Sequence, residues 1–156
     1  MTIAAFAHVS EAQYLRDAPA GALPVAEIPL PRRATAGSAG YDFVSPVDFA
    51  LNPGEVVTVP TGLRARMDAG WVLLLMPRSS LGFKYGLRLT NTVGVIDSDY
   101  YGAANEGHIQ VRLTCDRHVH IRRGDRFCQG IFVPYGLAEE AEETAQRTGG
   151  MGSTGL

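Results

Sequence analysis

Residues Asn91 to Gly102 read NTVGVIDSDYYG and combine an apolar run with acidic and aromatic side chains. Val93 to Ile96 predicts a short β-strand, and Asp97 and Asp99 follow it directly. Carboxylates at the end of a strand can reach water or a cation without being buried unpaired. Taken alone, the stretch predicts an acidic β-turn closed by Gly102, because Asp, Ser and Gly are ordinary turn formers. A functional interpretation depends on the rest of the chain.

Short β-type runs separated by Gly, Pro, Asn and Asp occupy most of the chain from Val25 to Tyr135. Between Ile109 and Cys115, apolar residues alternate with polar ones, which is the period of a half-buried strand. Many short strands without helical periods between them predict an all-β sandwich, jelly roll or barrel. The predicted strands are Tyr41–Val44, Glu55–Val59, Leu63–Met67, Trp71–Met76, Leu87–Thr90, Val93–Ile96, His108–Thr114, Val119–Ile121 and Phe127–Tyr135.

Before the C-terminal tail, only one helix is predicted, near the start of the chain. Ser10 and Gln13 have the spacing of a capping box, and Pro19 ends the helix after Tyr14 and Leu15.

The composition changes after Tyr135. Residues 137–146 are acidic and rich in alanine, and the last ten residues, RTGGMGSTGL, have too little apolar area to fold alone. We therefore predict one β-domain at residues 1–136, including an N-terminal extension at 1–24, and a flexible arm at 137–156.

Composition excludes several classes of protein. The net charge of −2 and the pI of about 6.1 argue against a general nucleic-acid binder, which needs a basic face. The most apolar segment, Trp71 to Met76, is too short for a membrane span, and the first residues do not resemble a signal peptide. A soluble, cytoplasmic protein that binds neither nucleic acid nor membranes is expected.

Cysteines and histidines do not form a recognisable metal motif in this sequence. Cys115 and Cys128 are predicted to be small buried hydrophobes, as is usual for two cysteines in a cytosolic chain. His118 and His120 lack further ligands at metal-site spacing, so both are predicted to be ordinary surface or hydrogen-bonded histidines.

Four other turn-like segments stand out. Taken alone, AGYDF predicts a tight turn into a strand, and GDRFCQG predicts a turn into a strand that carries Gln129 in a structural role. In PRSSLG, Arg78 offers a planar fork for phosphate oxygens, and the hydroxyls and free N–H groups of such a turn suit an anion. A polar cap on a strand end explains that segment equally well. The glycine-rich tail lacks the lysine and following helix of a Walker A loop. The four segments are AGYDF at Ala39–Phe43, PRSSLG at Pro77–Gly82, GDRFCQG at Gly124–Gly130 and RTGGMGSTG at Arg147–Gly155.

In order and spacing, AGYDF, PRSSLG, GVIDSDYYG, GDRFCQGIF and RTGGMGSTG resemble the five motifs of the homotrimeric dUTPase family. GVIDSDYYG together with PRSSLG is highly specific. Residues Ala103 to Glu106 look like an insertion seen in some bacterial and phage members. The resemblance implies a β jelly roll that assembles as a trimer, with active sites built from motifs of different subunits.

The resemblance also implies roles for individual residues. Asp97 would be the general base for water attack on the α-phosphorus of dUTP, giving dUMP and pyrophosphate and so lowering dUTP and supplying dUMP for thymidylate synthesis. Tyr100 would pack under the deoxyribose and leave no room for a 2′-hydroxyl. Asn91 and the adjoining hairpin, with Val95 and Ile96, would bind the uracil.

By the same resemblance, other motif residues would hold the triphosphate. Mg²⁺ would sit on the triphosphate with its own waters rather than on direct protein ligands, and Asp42 could be an indirect partner of the ion. The arm would close over a neighbouring subunit's site. The implied substrate-binding residues are Arg78, Ser79, Ser80, Gly82 and Gln129, and in the arm Arg147, Gly150, Met151, Gly152 and Ser153.

Met151 departs from the family pattern, in which an aromatic residue usually stands between the glycines of the tail and stacks on the uracil. A methionine sulfur can still contact an aromatic ring, with a contribution of about 0.3–1.5 kcal/mol. We predict an active enzyme with weakened arm closure, so that Met151→Phe changes the KM or kcat for dUTP in steady-state assays. Unchanged values of both constants would contradict weakened closure.

The same residues leave two alternatives to the dUTPase interpretation. dCTP deaminase shares the implied fold and the Arg-Ser-Ser turn, but Arg112 and Phe83 stand where it requires a glutamate and an arginine. A non-catalytic β-trimer that binds a protein partner would have no need of Asp97, Tyr100 and Arg78 together. Relatives of phage type can combine catalysis with binding of repressor proteins, so a protein partner is an open alternative.

Overall fold

The computed structural model describes residues 1–139, which contain twelve β-strands, two short α-helices and two 3-10 helices. The all-β prediction is thus confirmed. The strands are β1 (Ala4–His8), β2 (Arg32–Arg33), β3 (Tyr41–Val44), β4 (Phe49–Leu51), β5 (Val56–Pro60), β6 (Leu63–Met67), β7 (Trp71–Pro77), β8 (Arg88–Leu89), β9 (Gly94–Ile96), β10 (Gln110–Thr114), β11 (Val119–Ile121) and β12 (Arg126–Pro134). The α-helices are α1 (Glu11–Asp17) and α2 (Ser79–Tyr85), and the 3-10 helices are Val25–Glu27 and Ser98–Gly102.

The largest sheet has five strands in the order β2-β3-β12-β7-β9. Strands β7 and β12 form its centre, and they pair antiparallel from Trp71 opposite Pro134 to Pro77 opposite Cys128. Gly130 lies in the middle of β12, where an added Cβ would meet the Leu73 side chain at 2.8 Å. The missing side chain at this position therefore lets the core pack directly on the sheet.

Three smaller sheets, β1-β6, β5-β10-β8 and β11-β4, complete the fold around a common core. Strand β10 shows the predicted alternation, since Val111 and Leu113 are buried while Arg112 between them is exposed. The largest fully buried apolar side chains are Tyr14, Ile28, Phe43, Leu63, Leu73, Leu75, Leu87, Ile109, Leu113 and Phe127. Burial of side chains of this size typically contributes about 1.5–3 kcal/mol each.

Helix α1 begins as predicted, because the Ser10 hydroxyl accepts a hydrogen bond from the Gln13 N–H at 3.1 Å. The reciprocal half of the predicted capping box differs. The Ser10 N–H donates to the carboxylate of Glu106 at 2.7 Å, whereas the Gln13 side chain donates to Asp17. A distant loop therefore supplies the acidic half of this cap.

The prediction that PRSSLG forms only a turn is wrong, because Ser79 to Tyr85 form helix α2. Leu81 and Tyr85, one helical turn apart, are partly buried against the core. Gly86 ends the helix in the left-handed conformation with φ of 63°, and its N–H donates to Gly82 O at 2.9 Å. Tertiary packing and this cap sustain a helix that the local composition does not indicate.

Both cysteines are buried and free, as predicted. Burial raises the pKa of each thiol, so both are protonated at neutral pH and neither is a ready nucleophile or metal ligand. His118 and His120 are exposed. Within residues 1–139, neither α-helix has the length or apolar character needed to cross a membrane.

Candidate active site

A polar cleft lies at one end of the three adjacent strands β3, β12 and β7. Gln129 on β12 is opposite Asp42 on β3 and Met76 on β7, so Asp42, Gln129 and the end of β7 meet at one edge. Arg78 follows β7 immediately and is partly exposed. The cleft is lined by Ala34, Ser38, Gly40, Asp42, Arg78, Ser79, Ser80 and Gln129. The structure therefore brings together the motif residues AGYDF, PRSSLG and GDRFCQG.

The Asp42 carboxylate pairs with two arginine side chains at this cleft. Its carboxylate accepts from Arg78 Nε at 3.1 Å through one oxygen and from Arg126 Nη1 at 3.1 Å through the other. Only 13% of the Asp42 side chain is exposed, whereas half of the Arg126 side chain reaches solvent. Sequence reasoning missed Arg126, although it stands inside GDRFCQG and begins β12. The paired carboxylate fixes the Arg78 guanidinium while leaving its other N–H groups for a ligand anion.

Gly40 gives Gln129 the space it occupies. A Cβ at Gly40 would lie 2.6 Å from Gln129 Oε1, and Gln129 Nε2 donates to Pro77 O at 3.4 Å. Gly40 of AGYDF therefore makes room for Gln129 of GDRFCQG. This packing alone explains why the position is a glycine.

The turn between β8 and β9 carries the exposed Asn91; the two strands belong to different sheets, so the hairpin predicted here is not formed. The turn is tight, since Thr92 N donates to Leu89 O at 3.0 Å and Thr92 has a positive φ of 69°. Gly94 packs against the sheet, where an added Cβ would meet Leu75 at 3.1 Å. Val95 points outward with 57% of its surface exposed. The turn and the edge strand β9 therefore present an exposed edge and an exposed apolar side chain.

Asp97 lies directly after β9 and starts the 3-10 helix Ser98–Gly102. Tyr100 N donates to Asp97 O at 3.2 Å, so the carboxylate and the tyrosine belong to one turn. Tyr100 is only 7% exposed. Its hydroxyl donates to His108 O at 2.9 Å and accepts from Asn105 Nδ2 at 2.8 Å. Asn105 of the predicted insertion and the His108 carbonyl therefore hold this tyrosine, and sequence reasoning assigned neither residue to the site.

Arg78 and Asp97 lie at opposite ends of β7 within one chain. Ile96 is opposite Leu73, so Asp97 comes next to Val72, six residues before Arg78. At about 3.3 Å per residue, the two positions are roughly 20 Å apart along the strand. Within one chain, Asp97 and the Arg78 cleft therefore lie too far apart to contact the same small chemical group.

His108 is fully buried, and its hydrogen bonds are those of a neutral imidazole. The Gly62 N–H donates to His108 Nε2 at 3.0 Å, so the ring proton resides on Nδ1, which donates to Asp17 Oδ2 at 2.7 Å. Burial lowers the pKa of His108 from its ordinary value of 6.5, while Asp17 and Glu106 oppose that shift. The Tyr14 ring also packs on the imidazole, with centroids 6.1 Å apart.

This histidine predicts a pH-dependent stability. Above its ordinary pKa of 6.5, His108 is neutral both folded and unfolded, and below it the unfolded chain binds the extra proton more readily. The unfolding free energy is therefore expected to fall as pH drops below 6.5 toward the lower folded-state pKa. Thermal melts from about pH 7.5 to about pH 5.5 should show a smaller decrease for His108→Gln than for the native chain. Equal decreases would contradict a buried neutral His108.

Gly107 must be glycine for two reasons. Its φ is +70°, and an added Cβ would lie 2.6 Å from Tyr100 O and 2.8 Å from Tyr101 Cα. We expect Gly107→Ala to cost on the order of 2 kcal/mol or more, lowering the melting temperature by about 4–8 °C. Gly102→Ala is the control, because an added Cβ there has nothing within 4 Å. Equal melting temperatures for the two variants would refute this packing.

The described part of the chain contains no group of three or more His, Cys, Asp or Glu side chains placed to hold a metal ion. Near the phosphate-type cleft, both Asp42 oxygens already accept from guanidinium groups. The donor set present fits a hard cation that is held by a ligand's own oxygens and by water, with at most indirect contact to Asp42.

Comparison with known proteins identifies the family. The dUTPase family model matches residues 26–155. The chain belongs to the dUTPase family. A deoxyuridine 5'-triphosphate nucleotidohydrolase of Lactococcus lactis is 48% identical over 135 residues, covering 83% of this chain and 90% of the relative.

Solved dUTPase structures share the fold. The crystal structure of dUTPase from Streptococcus mutans, 37% identical, matches with a TM-score of 0.67 over 86% of this chain and 98% of that chain. This match confirms the predicted jelly roll of the dUTPase type. A dUTPase from phage phi11 of S. aureus, described for coordination of a structural Mg(II) ion, matches with a TM-score of 0.66 over 92% of this chain and 98% of that chain. At 19% identity, the phage dUTPase shows the fold alone.

Not every predicted dUTPase residue falls within the described chain. Arg147, Gly150, Met151, Gly152 and Ser153 lie outside the described residues 1–139. Gly82 lies within α2, where an added Cβ would come no closer than 3.7 Å to Leu87 O. Gly82 therefore lies beside the cleft, at a position with room for a side chain.

Proposed function

We propose that this chain hydrolyses dUTP to dUMP and pyrophosphate in active sites shared between the subunits of a homotrimer. Family membership supports the reaction. The observation that carries the shared site is the separation along β7 between Asp97 and the Arg78 cleft, since both groups must serve one triphosphate. In a trimer, Asp97 of one subunit can complete the cleft of the next.

In this proposal Asp97 accepts a proton from the water that attacks the α-phosphorus. Its position directly after β9 fixes the carboxylate at the rim of the sheet, and its backbone carbonyl is held by Tyr100 N. Base catalysis of this kind typically contributes about 10²–10⁴-fold to the rate. The leaving group is pyrophosphate, whose charge the cleft of the partner subunit neutralises.

The Arg78 cleft binds the phosphates. The Arg78 guanidinium, oriented by Asp42, supplies charge-assisted hydrogen bonds, and the exposed hydroxyls of Ser79 and Ser80 add neutral donors. Gln129 positions either a phosphate oxygen or the attacking water, and Gly82 lies on α2 beside the cleft. When bound, Mg²⁺ neutralises triphosphate charge through the ligand's oxygens and water.

Tyr100 and the turn between β8 and β9 select the nucleoside. The Tyr100 ring, whose hydroxyl is held by His108 O and Asn105 Nδ2, packs under the deoxyribose and leaves no space for a 2′-hydroxyl. Asn91 and the exposed edge with Val95 and Ile96 bind the uracil. The arm with Arg147, Gly150, Met151, Gly152 and Ser153 closes over a neighbouring site. A single domain at residues 1–136, an arm at 137–156 and a cytoplasmic location are parts of the same proposal.

A protein partner, as in relatives of phage type, is a second role that no contact in the described residues specifically favours over catalysis. The deaminase alternative conflicts with the family match, and Arg112 is exposed on β10 where that reaction needs a glutamate. Pull-down experiments with and without dUTP address the partner directly.

Nucleotide selectivity tests the proposed reaction. Purified chain with Mg²⁺ is incubated separately with dUTP, UTP, dTTP and dCTP, and both pyrophosphate and ammonia are measured. Pyrophosphate from dUTP in large excess over the other nucleotides is expected. Pyrophosphate from none of them would overturn the proposal, and ammonia from dCTP would revive the deaminase.

A further inference from the structure

The N-terminal segment forms hydrogen bonds with the loop Ala103–His108, which follows the 3-10 helix Ser98–Gly102. The Ser10 hydroxyl donates to one Glu106 oxygen at 2.6 Å, and the Ser10 N–H donates to the other at 2.7 Å. These bonds lower the pKa of Glu106, so it is ionised at neutral pH. One helical length further on, Asp17 accepts from the buried ring of His108. Residues at both ends of α1 therefore form hydrogen bonds with this loop. The two contacts, Ser10–Glu106 and Asp17–His108, together form a clamp.

Several polar groups of that loop form hydrogen bonds within it and to its neighbours. Asn105 Oδ1 accepts from the Gly107 N–H at 3.2 Å, while its Nδ2 donates to the Tyr100 hydroxyl at 2.8 Å. Arg64 Nη1 approaches Glu106 O at 3.4 Å, and its guanidinium lies 4.0 Å from the centre of the Tyr101 ring. The loop thus touches the two adjacent tyrosines from one side.

The contacts form a continuous path from α1 to Tyr100. Asp17 fixes the His108 ring, and Gly62 N–H fixes its other nitrogen. The carbonyl of the same His108 then accepts from the Tyr100 hydroxyl at 2.9 Å. Gly107, in the left-handed conformation against Tyr100 O, lets the two segments approach. A shift of the His108 backbone therefore moves the acceptor that orients the Tyr100 ring.

We propose that the Asp17–His108 and Ser10–Glu106 pairs are positioning residues for Tyr100, so that the N-terminal segment sets the discrimination between deoxyribonucleotides and ribonucleotides. The inference rests on the proposed role of Tyr100 under the sugar. Loosening the clamp frees the ring to move, and the moved ring admits the 2′-hydroxyl that the fixed ring excludes.

The test measures sugar discrimination in equilibrium binding and in turnover. Dissociation constants for dUMP and UMP are determined by calorimetry, and kcat and KM are determined for dUTP and UTP. The variants are Asp17→Ala, Ser10→Ala and Asp17→Asn, the last of which keeps an oxygen acceptor for His108 Nδ1. Asp48→Ala is the matched control, because Asp48 pairs with Arg123 on an exposed surface, at 3.2 Å.

Asp17→Ala is expected to reduce the preference for the deoxy sugar by about tenfold, mainly through a tighter affinity for UMP and a lower KM for UTP, because the moved ring admits the 2′-hydroxyl. Ser10→Ala acts in the same direction with a smaller change, and Asp17→Asn and Asp48→Ala keep the native preference. A lower melting temperature for Asp17→Ala with unchanged preference would overturn the proposal, since it would show a purely structural role. A native chain that binds dUMP and UMP equally would also overturn it.

Failure of the proposed hydrolysis is distinguishable from failure of this inference. If the native chain binds dUMP over UMP yet releases no pyrophosphate, the proposed reaction fails while the binding measurements still decide the role of the clamp. Ser10 is exposed, whereas only 26% of the Asp17 side chain is exposed, so the melting temperature of each alanine variant is measured beside its sugar preference.

Discussion

Replacing Asp97 by asparagine is expected to lower kcat for dUTP by about 10²–10⁴-fold, because the amide cannot accept the proton of the attacking water. The side chains are nearly the same size, and Asp97 is only partly buried at the end of β9, so the fold is expected to persist. KM is expected to change little, since the cleft that binds the phosphates contains Arg78 rather than Asp97. Steady-state pyrophosphate release gives both constants.

Asp99→Asn is the matched control for this change. Asp99 is an exposed carboxylate in the same 3-10 helix, two residues further along the chain. Its replacement removes the same charge from the same turn, and kcat is expected to stay within a few-fold of the native value. If Asp97→Asn and Asp99→Asn lowered kcat equally, the loss would reflect the local charge and not a positioned base.

Arg78→Ala is expected to lower kcat/KM for dUTP by about 10–100-fold. A hydrogen bond to a charged group contributes about 1.5–3 kcal/mol, and 1.4 kcal/mol corresponds to tenfold. The loss also leaves Asp42, of which 13% is exposed, with Arg126 as its remaining guanidinium partner among residues 1–139. Arg78→Lys is expected to recover only part of the loss, because an ammonium lacks the planar fork.

Arg88→Ala is the control for the removal of an arginine. Arg88 pairs with Asp116 at 2.7 Å, and the two side chains are 50% and 66% exposed. Exposed ion pairs of this kind contribute about 0–1 kcal/mol, so activity and stability are expected to remain close to native. Equal losses of kcat/KM for Arg78→Ala and Arg88→Ala would show that the Arg78 cleft has no special role.

Strands with clear apolar alternation could be predicted from the sequence. The bounds of β3, β6 and β11 agree with the prediction, because each has turn residues on both sides. Strand β1, AAFAH, was missed because alanine has little preference for strands, and pairing with β6 determines its conformation. Helix α2 was missed because its serines and glycine suggest a turn, while its stability comes from Leu81, Tyr85 and the cap at Gly86.

Local motifs predicted the cleft but not the contacts that shape it. Asp42, Arg78 and Gln129 stand in separate motifs, and only the register of β3, β12 and β7 brings them together. The hydrogen bond between Asp17 and His108 joins residues 91 positions apart, which no periodicity reports. The insertion at Ala103–Glu106 was recognised only from the family resemblance. That resemblance did not identify the residues that the insertion contacts. The close approach of Gly107 to Tyr100 was not predicted.

Subunit complementation tests the shared active site most directly. Asp97→Asn and Arg78→Ala chains are mixed in equal amounts, dissociated in denaturant and reassembled, and dUTP hydrolysis is compared with each variant alone. If each site takes Arg78 from one subunit and Asp97 from the next, random mixing restores about one quarter of the native activity. Activity no higher than the mean of the two variants alone would show that each chain builds its own site and would contradict the account.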